Sequence, residues 1–548
     1  MVAPSASEPP SSREKECEQD EGISIKILSQ RGKLPTMSDV LVSIRPPDGR
    51  ARVPIDVCCV IDISGSMGAE ASVQDASGVT ESHGLSLLDV AKHAIMTIIR
   101  SLGMNDRLAI VWFNHDAGVT IPLTPMNFAG RSYAEARLSS LWACGGTDMW
   151  RGLSTGLETF SSTSWLVPSL DFISSTERMA HMILLTDGIT QNSERFIPSL
   201  QNHSEKYGLP CSISTFGFGY GIDSRLLGDI SKKGKGTYSF IPDAGFVGTI
   251  FVNTISNLLV TVTNTACLRL EPQGQAKIVE ILGDLETAEH SDGGICVNLG
   301  ALQFGQTRDV VLRMSMPLCE HEQPMLLATI ECAGLAGRRL ACGPVKSVRP
   351  GQMDDPLPGQ TDDPLEVEQQ LYRSQFVDVL ARIQQEVSPP QEPAGPKGFF
   401  SSWLGPQGSS EKSRVLALNI LDDFVQHIKA SVTADDSIIA SILEDAQGQV
   451  TEALSREDWL TKWGMHYLPS LMFAHKLQQC NNFKDPGVQV YGGDLFHEIQ
   501  EEADDIFNSL PAPTPSRSRP ATTMSGYVAS FASQAPINMA AYNNSSGG

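Results

Sequence analysis

Three short, largely apolar segments constrain the fold more than any other feature of this sequence. They read RVPIDVCCVIDI from Arg52, MAHMILLTDG from Met179 and CSISTFGFG from Cys211. Such runs, with few polar interruptions, are typical of parallel strands that are buried on both faces. Segments with helical spacing follow them, as in LSLLDVAKHAIMTIIRSLG and IDSRLLGDISKKG. This alternation predicts a doubly wound α/β domain with a mainly parallel sheet over residues 51–258.

The sequence that follows this domain changes character. From residue 259 to 349 the helical period disappears, and short apolar runs are separated by Gly, Asp and Pro turns, which indicates a β-sandwich-like module. Two alternating runs within residues 23–50, ISIKIL and DVLVSI, also predict strands. Because the ends of a parallel α/β domain often lie close together, we expect these strands to pair with the later β module.

The remaining segments are assigned by composition and periodicity. Amphipathic runs such as EVEQQLYRSQFVDVLARIQQEV predict a helical C-terminal region over residues 363–508, interrupted by a Pro/Gly-rich loop at 388–412. A linker is predicted at 350–362. The two ends of the sequence, 1–22 and 509–548, are rich in Ser and Pro with few large apolar residues, and we expect both to be disordered.

Charge, hydropathy and cysteine usage exclude several classes of protein. The chain has 63 acidic and 41 basic residues and a net charge of −22, which argues against nucleic acid or an anionic membrane as the main partner. No apolar run approaches the roughly 20 residues of a membrane-spanning helix. The polar start of the sequence lacks a signal-peptide pattern. The eleven cysteines contain no CxxC pair, so we expect free thiols in a reducing compartment. The predicted location is the cytoplasm, with the nucleus as an open alternative.

Oxygen-bearing side chains follow two of the buried strands and begin a helix between them. Asp62, Ser64 and Ser66 alternate directly after the first strand. Thr147 stands at the start of a predicted helix, and Asp187 ends the second strand. All three segments lie at carboxyl ends of strands, where open α/β sheets place their ligands. Hard oxygen ligands suit Mg²⁺, so this pattern predicts a magnesium site.

The segments VIDISGSMG, GGTDM and LLTDG together resemble the von Willebrand factor A-type domain over about residues 50–258. The resemblance implies a metal-ion-dependent adhesion site. Its ligands would be Asp62, Ser64, Ser66, Thr147 and Asp187, binding Mg²⁺ with Mn²⁺ as an alternative. It also implies that an Asp or Glu of a partner protein fills an open coordination position. The expected function is therefore a metal-dependent interaction scaffold with no catalytic residues.

Other interpretations of these residues fit the sequence less well. A turn rich in Asp and Ser is most often an ordinary turn, but the added Thr147 and Asp187 favour a site. A role for Ser64 or Ser66 as a nucleophile is disfavoured, because the sequence around them has no GxSxG elbow and no neighbouring His. Asp148 is expected to orient the surroundings of Thr147 or a metal-bound water.

The C-terminal region carries a second resemblance. NNFKDPGVQVYGG at residues 481–493 looks like the region that follows the A-type domain in a group of intracellular eukaryotic proteins, the Vwaint-like group. Some of these relatives act in ubiquitin ligation. The alternative function is therefore an adaptor in a ubiquitin-ligation pathway that lacks its own RING or U-box. From physical principle the segment predicts only a turn at Asp485-Pro486-Gly487. The sequence predicts no particular oligomeric state.

Overall fold

The structure is a computed structural model. It describes residues 22–31, 37–49, 53–74, 80–162, 178–188, 190, 193–290, 293–316, 325–332, 364–388, 411–482 and 484–515. The predicted linker lies outside the described residues. Most of the predicted N-terminal disordered segment, of the Pro/Gly-rich loop and of the C-terminal tail lies outside them too.

Strands and helices occupy most of the described chain. The strands are β1 (Ser24–Arg31), β2 (Met37–Arg45), β3 (Ile55–Asp62), β4 (Glu70–Gln74), β5 (Thr80–Ser86), β6 (Arg107–Phe113), β7 (Ala117–Pro125), β8 (Met179–Thr186), β9 (Ser212–Phe218), β10 (Lys235–Ile241), β11 (Thr261–Pro272), β12 (Lys277–Ile281), β13 (Glu286–Glu289), β14 (Ile295–Gln303), β15 (Arg308–Ser315) and β16 (Leu326–Cys332). The helices are α1 (Leu87–Ser101), α2 (Phe128–Ser139), α3 (Met149–Ser162), α4 (Ser193–Tyr207), α5 (Ser224–Lys233), α6 (Val247–Leu259), α7 (Pro364–Val387), α8 (Glu411–Lys429), α9 (Ser437–Asp445), α10 (Thr451–Ser455), α11 (Glu457–Trp459), α12 (Met465–Leu477) and α13 (Asp494–Ser509).

A six-stranded sheet in the order β10-β9-β8-β3-β6-β7 forms the centre of the α/β domain. Its neighbouring strands are parallel except for β7, which pairs with β6 in the antiparallel sense. Every residue of β3 is buried. Cys58 and Val60 pack on the side of α3, α4 and α5, whereas Val57 and Cys59 pack on the side of α1 and α6. The predicted mainly parallel sheet, covered on both faces, is confirmed.

Two four-stranded antiparallel sheets form a β-sandwich beside this domain. Their orders are β1-β2-β15-β12 and β13-β14-β11-β16, and their facing side chains share one apolar core. Strand β2 pairs with β15, so that Val42 lies opposite Val310. Strand β11 begins directly after α6. The N-terminal strands therefore belong to the sandwich, and the α/β domain is inserted between β2 and β11.

The prediction that the cysteines are free thiols is wrong for one pair. Cys267 of β11 and Cys296 of β14 form a disulfide, with Cα atoms 6.2 Å apart. Cys267 lies opposite Asn298 and Cys296 lies opposite Arg269, so the two cysteines occupy diagonal positions on one face of the sheet. Sequence spacing could not show this register. Six described cysteines are free: Cys58, Cys59, Cys144, Cys211, Cys332 and Cys480.

The C-terminal helices cover the α/β domain on two sides. Helices α7, α8, α9 and α12 share an apolar core with α5 and β10. Helix α13 returns to pack on α6 and α1, where Ala503 is buried. No helix in the described part of the chain has the length and apolar character needed to cross a membrane.

Candidate metal centre

Two loops at the carboxyl edge of the sheet are joined by backbone hydrogen bonds. Strand β3 ends at Asp62, and the next turn carries Ser64 and Ser66. The N–H of Gly65 donates to the carbonyl oxygen of Gly145 at 2.9 Å, and the N–H of Cys144 donates to that of Ile63 at 2.7 Å. Gly145 has a φ of 83°, a left-handed conformation that favours glycine. These bonds hold the loop that precedes α3 against the end of β3.

The polar side chains of these loops form a connected chain of hydrogen bonds. The hydroxyl oxygens of Ser64 and Ser66 are 3.0 Å apart. The Ser66 hydroxyl donates to Oδ1 of Asp187 at 2.9 Å. The Asp62 carboxylate accepts from the N–H of Ser64 at 2.8 Å and from the hydroxyl of Thr186 at 2.6 Å. Four of the five predicted ligands therefore lie within one hydrogen-bonded group.

The position of Thr147 relative to the other ligands is shown by its distance from Gly188, the residue that follows Asp187. A Cβ atom built on Gly188 would lie 3.8 Å from the hydroxyl oxygen of Ser66 and 3.8 Å from that of Thr147. Both hydroxyls thus border the same small space above Gly188. The structure therefore brings all five sequence-predicted residues together at the carboxyl edge of the sheet.

The two carboxylates of the site are buried and have no cationic partner among the residues that the structure describes. Asp62 is fully buried and Asp187 is 8% exposed. Burial raises the pKa of Asp62 to about 6, against hydrogen bonds from Thr186 and Ser64 that lower it, and the charge of Asp187 raises it slightly further. Burial also raises the pKa of Asp187. No basic side chain of the described residues contributes to either pKa.

The donor set fits a hard divalent cation. For Mg–O distances of 2.0–2.1 Å, neighbouring oxygens of an octahedral site are about 2.9 Å apart. The Ser64–Ser66 and Ser66–Asp187 oxygen distances, 3.0 and 2.9 Å, are close to that spacing. Among the described residues there is no group of three His, Cys, Asp or Glu side chains suited to a metal. The candidate site instead combines two carboxylates with three hydroxyls, which suits Mg²⁺ better than zinc.

Asp148 and two threonines have supporting positions. The Asp148 carboxylate accepts from the N–H of Arg151 at 3.2 Å and pairs with its guanidinium group, so it stabilises the first turn of α3. The Thr190 hydroxyl accepts from the N–H of Met149 at 3.2 Å. Thr186 is not among the residues predicted from the sequence, although it directly precedes Asp187 in LLTDG. Thr186 contributes by orienting Asp62 from the neighbouring strand.

The raised pKa of Asp62 predicts a pH dependence in the metal-free protein. The pKa of about 6 in the folded state lies above the ordinary aspartate pKa of 3.8, so the folded state binds this proton more tightly. The contribution of Asp62 to stability is then fully present below about pH 4 and falls by about 3 kcal/mol as the pH rises through 6. Asp62→Asn should remove this fall. Urea unfolding in EDTA between pH 4 and 7 measures the difference between the two proteins.

The comparison of the two proteins separates the effect of Asp62 on the pH dependence from the effects of other buried carboxyl groups. The pKa of Asp485 is also raised, to about 7, and its effect is the same in both proteins. An equal pH slope for wild type and Asp62→Asn would show that Asp62 is not the carboxyl responsible.

Comparisons with known proteins agree with this architecture. Residues 56–240 match the family model described as von Willebrand factor type A domain. Residues 436–505 match the model described as VWA / Hh protein intein-like. An uncharacterised protein of Synechocystis sp. is 26% identical over 289 residues, which cover 50% of this chain. The chain spans 60% of the length of that relative.

One solved structure extends the likeness beyond the α/β domain. The von Willebrand factor type A protein from Catenulispora acidiphila aligns with a TM-score of 0.54 and 15% identity, covering 83% of this chain and 98% of that one. The ArnB paralog VWA2 from Sulfolobus acidocaldarius covers the same shares with 13% identity and a TM-score of 0.45. The chain therefore contains a von Willebrand factor type A domain, set within a larger fold that resembles the Catenulispora structure.

Proposed function

We propose that this chain is a divalent-metal-dependent protein-interaction scaffold. Asp62, Ser64, Ser66, Thr147 and Asp187 would hold Mg²⁺, or Mn²⁺ in its place. The observation that carries the proposal is the convergence of two buried carboxylates and three hydroxyls at one edge of the sheet. Two negative charges that lack a basic partner among the described residues favour a bound cation.

The exposure of the five residues indicates where a partner would bind. Asp62 and Ser64 are buried, whereas Ser66 is exposed and Thr147 is half-buried. Bound Mg²⁺ supplies positive charge and takes six oxygen ligands, several of which are usually water. The solvent side, near Ser66 and Thr147, is where an Asp or Glu carboxylate of a partner protein would replace such a water.

A binding role fits the hydroxyl groups better than catalysis does. The Ser64 and Ser66 hydroxyls are bonded to each other and to Asp187. In the described part of the chain neither forms a hydrogen bond with a histidine that could act as a base. Von Willebrand factor type A domains are commonly protein-interaction modules. We therefore propose a non-enzymatic function.

Affinity capture from native lysate tests the proposal. We expect a set of partners that bind wild type in Mg²⁺ and are lost both in EDTA and with Asp187→Ala. Converting lysate carboxylates to amides should remove the same partners. Asp116→Ala is the matched control, since Asp116 is exposed, pairs with Arg151 and lies outside the ligand set. Capture that is equal in all samples would move the interaction to another surface.

The alternative is an adaptor role in ubiquitin ligation, and it stays a prediction. Its support is the match of residues 436–505 to the intein-like model, together with the resemblance noted from the sequence. Recovery of a ubiquitin-conjugating enzyme or ligase among the metal-dependent partners would favour it. Metal-dependent partners that include no such component would count against it.

A further inference from the structure

A small cavity lies where the three parts of the chain meet. It is bordered by α5 and β10 of the α/β domain, by β14 and β15 of the sandwich, and by α12 of the helical region. Its volume is about 50 Å³. Four basic and two acidic residues line it: Lys232, Lys235, Arg308, Lys476, Glu286 and Asp309. A cavity with excess positive charge is unexpected in a chain of net charge −22.

Arg308 is a buried cation whose side-chain hydrogen bonds go to neutral groups. It is 4% exposed, and its guanidinium group donates to the carbonyl oxygen of Ala301 at 2.9 Å and to Gln303 at 3.4 Å. Burial and the neighbouring Arg373 lower the pKa of Arg308 to about 9. The Asp309 carboxylate raises this pKa and so offsets part of the charge of Arg308, and it also accepts from the side-chain amide of Gln478 at 2.7 Å. Buried charges are normally paired, so this arrangement favours an additional anion.

Two lysines at the cavity share a single carboxylate. Asp284 Oδ2 lies 2.7 Å from Nζ of Lys476 and 3.3 Å from Nζ of Lys232. Glu286, which also lines the cavity, acts electrostatically on Lys476 as well, so three ammonium groups, counting that of Lys235, line the cavity beside two carboxylates. Lys235 is exposed and has a φ of 56°, a left-handed conformation that is uncommon for lysine. Of the four basic residues, Arg308 and Lys476 are buried, Lys232 is half-buried and Lys235 is exposed.

We propose that this cavity binds the phosphate group of a small soluble molecule. A cavity of 50 Å³ is about four times the space that one water needs, which suits an oxyanion with four oxygens. The arginine and the lysines supply the charge-assisted donors that phosphate requires. Bound phosphate would contact α5, β15 and α12 and would therefore hold the three parts of the chain together.

This site is separate from the candidate metal centre. Lys235 is the first residue of β10 and lies opposite Ile213 near the start of β9. Asp62 and Asp187 lie at the carboxyl ends of strands in the same parallel sheet. The two sites therefore occupy opposite edges of the sheet, and either can fail without the other.

Calorimetric titration of the full chain tests the proposal. Inorganic phosphate and glycerol 3-phosphate are added in EDTA at constant ionic strength, with chloride and acetate as control anions. We expect both phosphates to bind and to raise the melting temperature, whereas the control anions do neither. Tighter binding of one of them identifies free phosphate or a phosphate ester as the source.

Charge-removing variants locate the binding. Lys476→Gln should weaken phosphate binding about tenfold, and the exposed Lys235→Gln about threefold. Lys233→Gln, one residue beyond Lys232 on α5 and outside the cavity lining, should leave it unchanged. The proposal is overturned if phosphate gives no more heat or stabilisation than chloride, or if Lys233→Gln weakens binding as much as Lys235→Gln. Lys235→Gln should bind Mg²⁺ as wild type does, which would show that the loss of phosphate binding does not arise from damage to the metal site.

Discussion

Asp187→Ala is expected to weaken Mg²⁺ binding by at least about 100-fold, or ~2.7 kcal/mol. The substitution removes one of the two buried carboxylates and the acceptor of the Ser66 hydroxyl bond. The metal-free variant should be no less stable than wild type, because burial raises the pKa of Asp187 and no basic side chain among the described residues offsets its charge. Titration calorimetry gives the affinity, and melting curves in EDTA and in Mg²⁺ give the stability.

Two further variants make this result specific. Asp116→Ala removes an exposed carboxylate from a neighbouring loop and should bind Mg²⁺ as wild type does. Asp187→Asn keeps an oxygen that can accept from Ser66, so it separates loss of charge from loss of the hydrogen bond. The assignment of the site is wrong if Asp187→Ala binds Mg²⁺ with the affinity of wild type.

The buried centre of the fold was predictable, whereas its edges were not. Strands β3, β8 and β9 lie between two helical layers, so their sequences are largely apolar and reveal a parallel strand directly. Strand β7 is an edge strand with a half-exposed pattern and two prolines, and its sequence carries no such signal. Helix α4 contains Pro198 and has only two buried residues, Phe196 and Leu200. Where one face of a strand or helix is exposed to solvent, polar residues are tolerated there and the apolar pattern in the sequence becomes weaker.

The candidate metal site was also only partly predictable from the sequence. Strand ends and the family motif were enough to predict that Asp62, Thr147 and Asp187 converge. The backbone bond between Gly65 and Gly145 joins segments 80 residues apart, and no sequence pattern encodes it. The disulfide between β11 and β14 likewise depends on a strand register that only the folded chain shows.

The segment at residues 481–493 has a physical role that its sequence did not reveal. The fully buried Asp445 carboxylate, at the end of α9, accepts from Nε2 of His475 at 3.0 Å and from the N–H of Gly487 at 3.1 Å. Nδ1 of His475 pairs with the hydroxyl of Tyr491 at 2.8 Å. This network fastens the segment to α9 and α12. A Cβ atom at Gly487 would lie 2.4 Å from Oδ2 of Asp445, so the segment approaches as closely as glycine permits.

Asp445→Ala is therefore expected to destabilise the C-terminal region by about 3–5 kcal/mol, because it leaves His475 and the Gly487 N–H buried without their acceptor. Urea unfolding gives the global loss, and hydrogen exchange at residues 484–491 shows whether it is local. Asp435→Ala, which removes an exposed carboxylate before α9, is the matched control. A loss below about 1 kcal/mol would contradict the network's role. Because the network includes none of the proposed metal ligands, Mg²⁺ binding should persist. Loss of partner capture by this variant would then assign part of the interaction to residues 436–505.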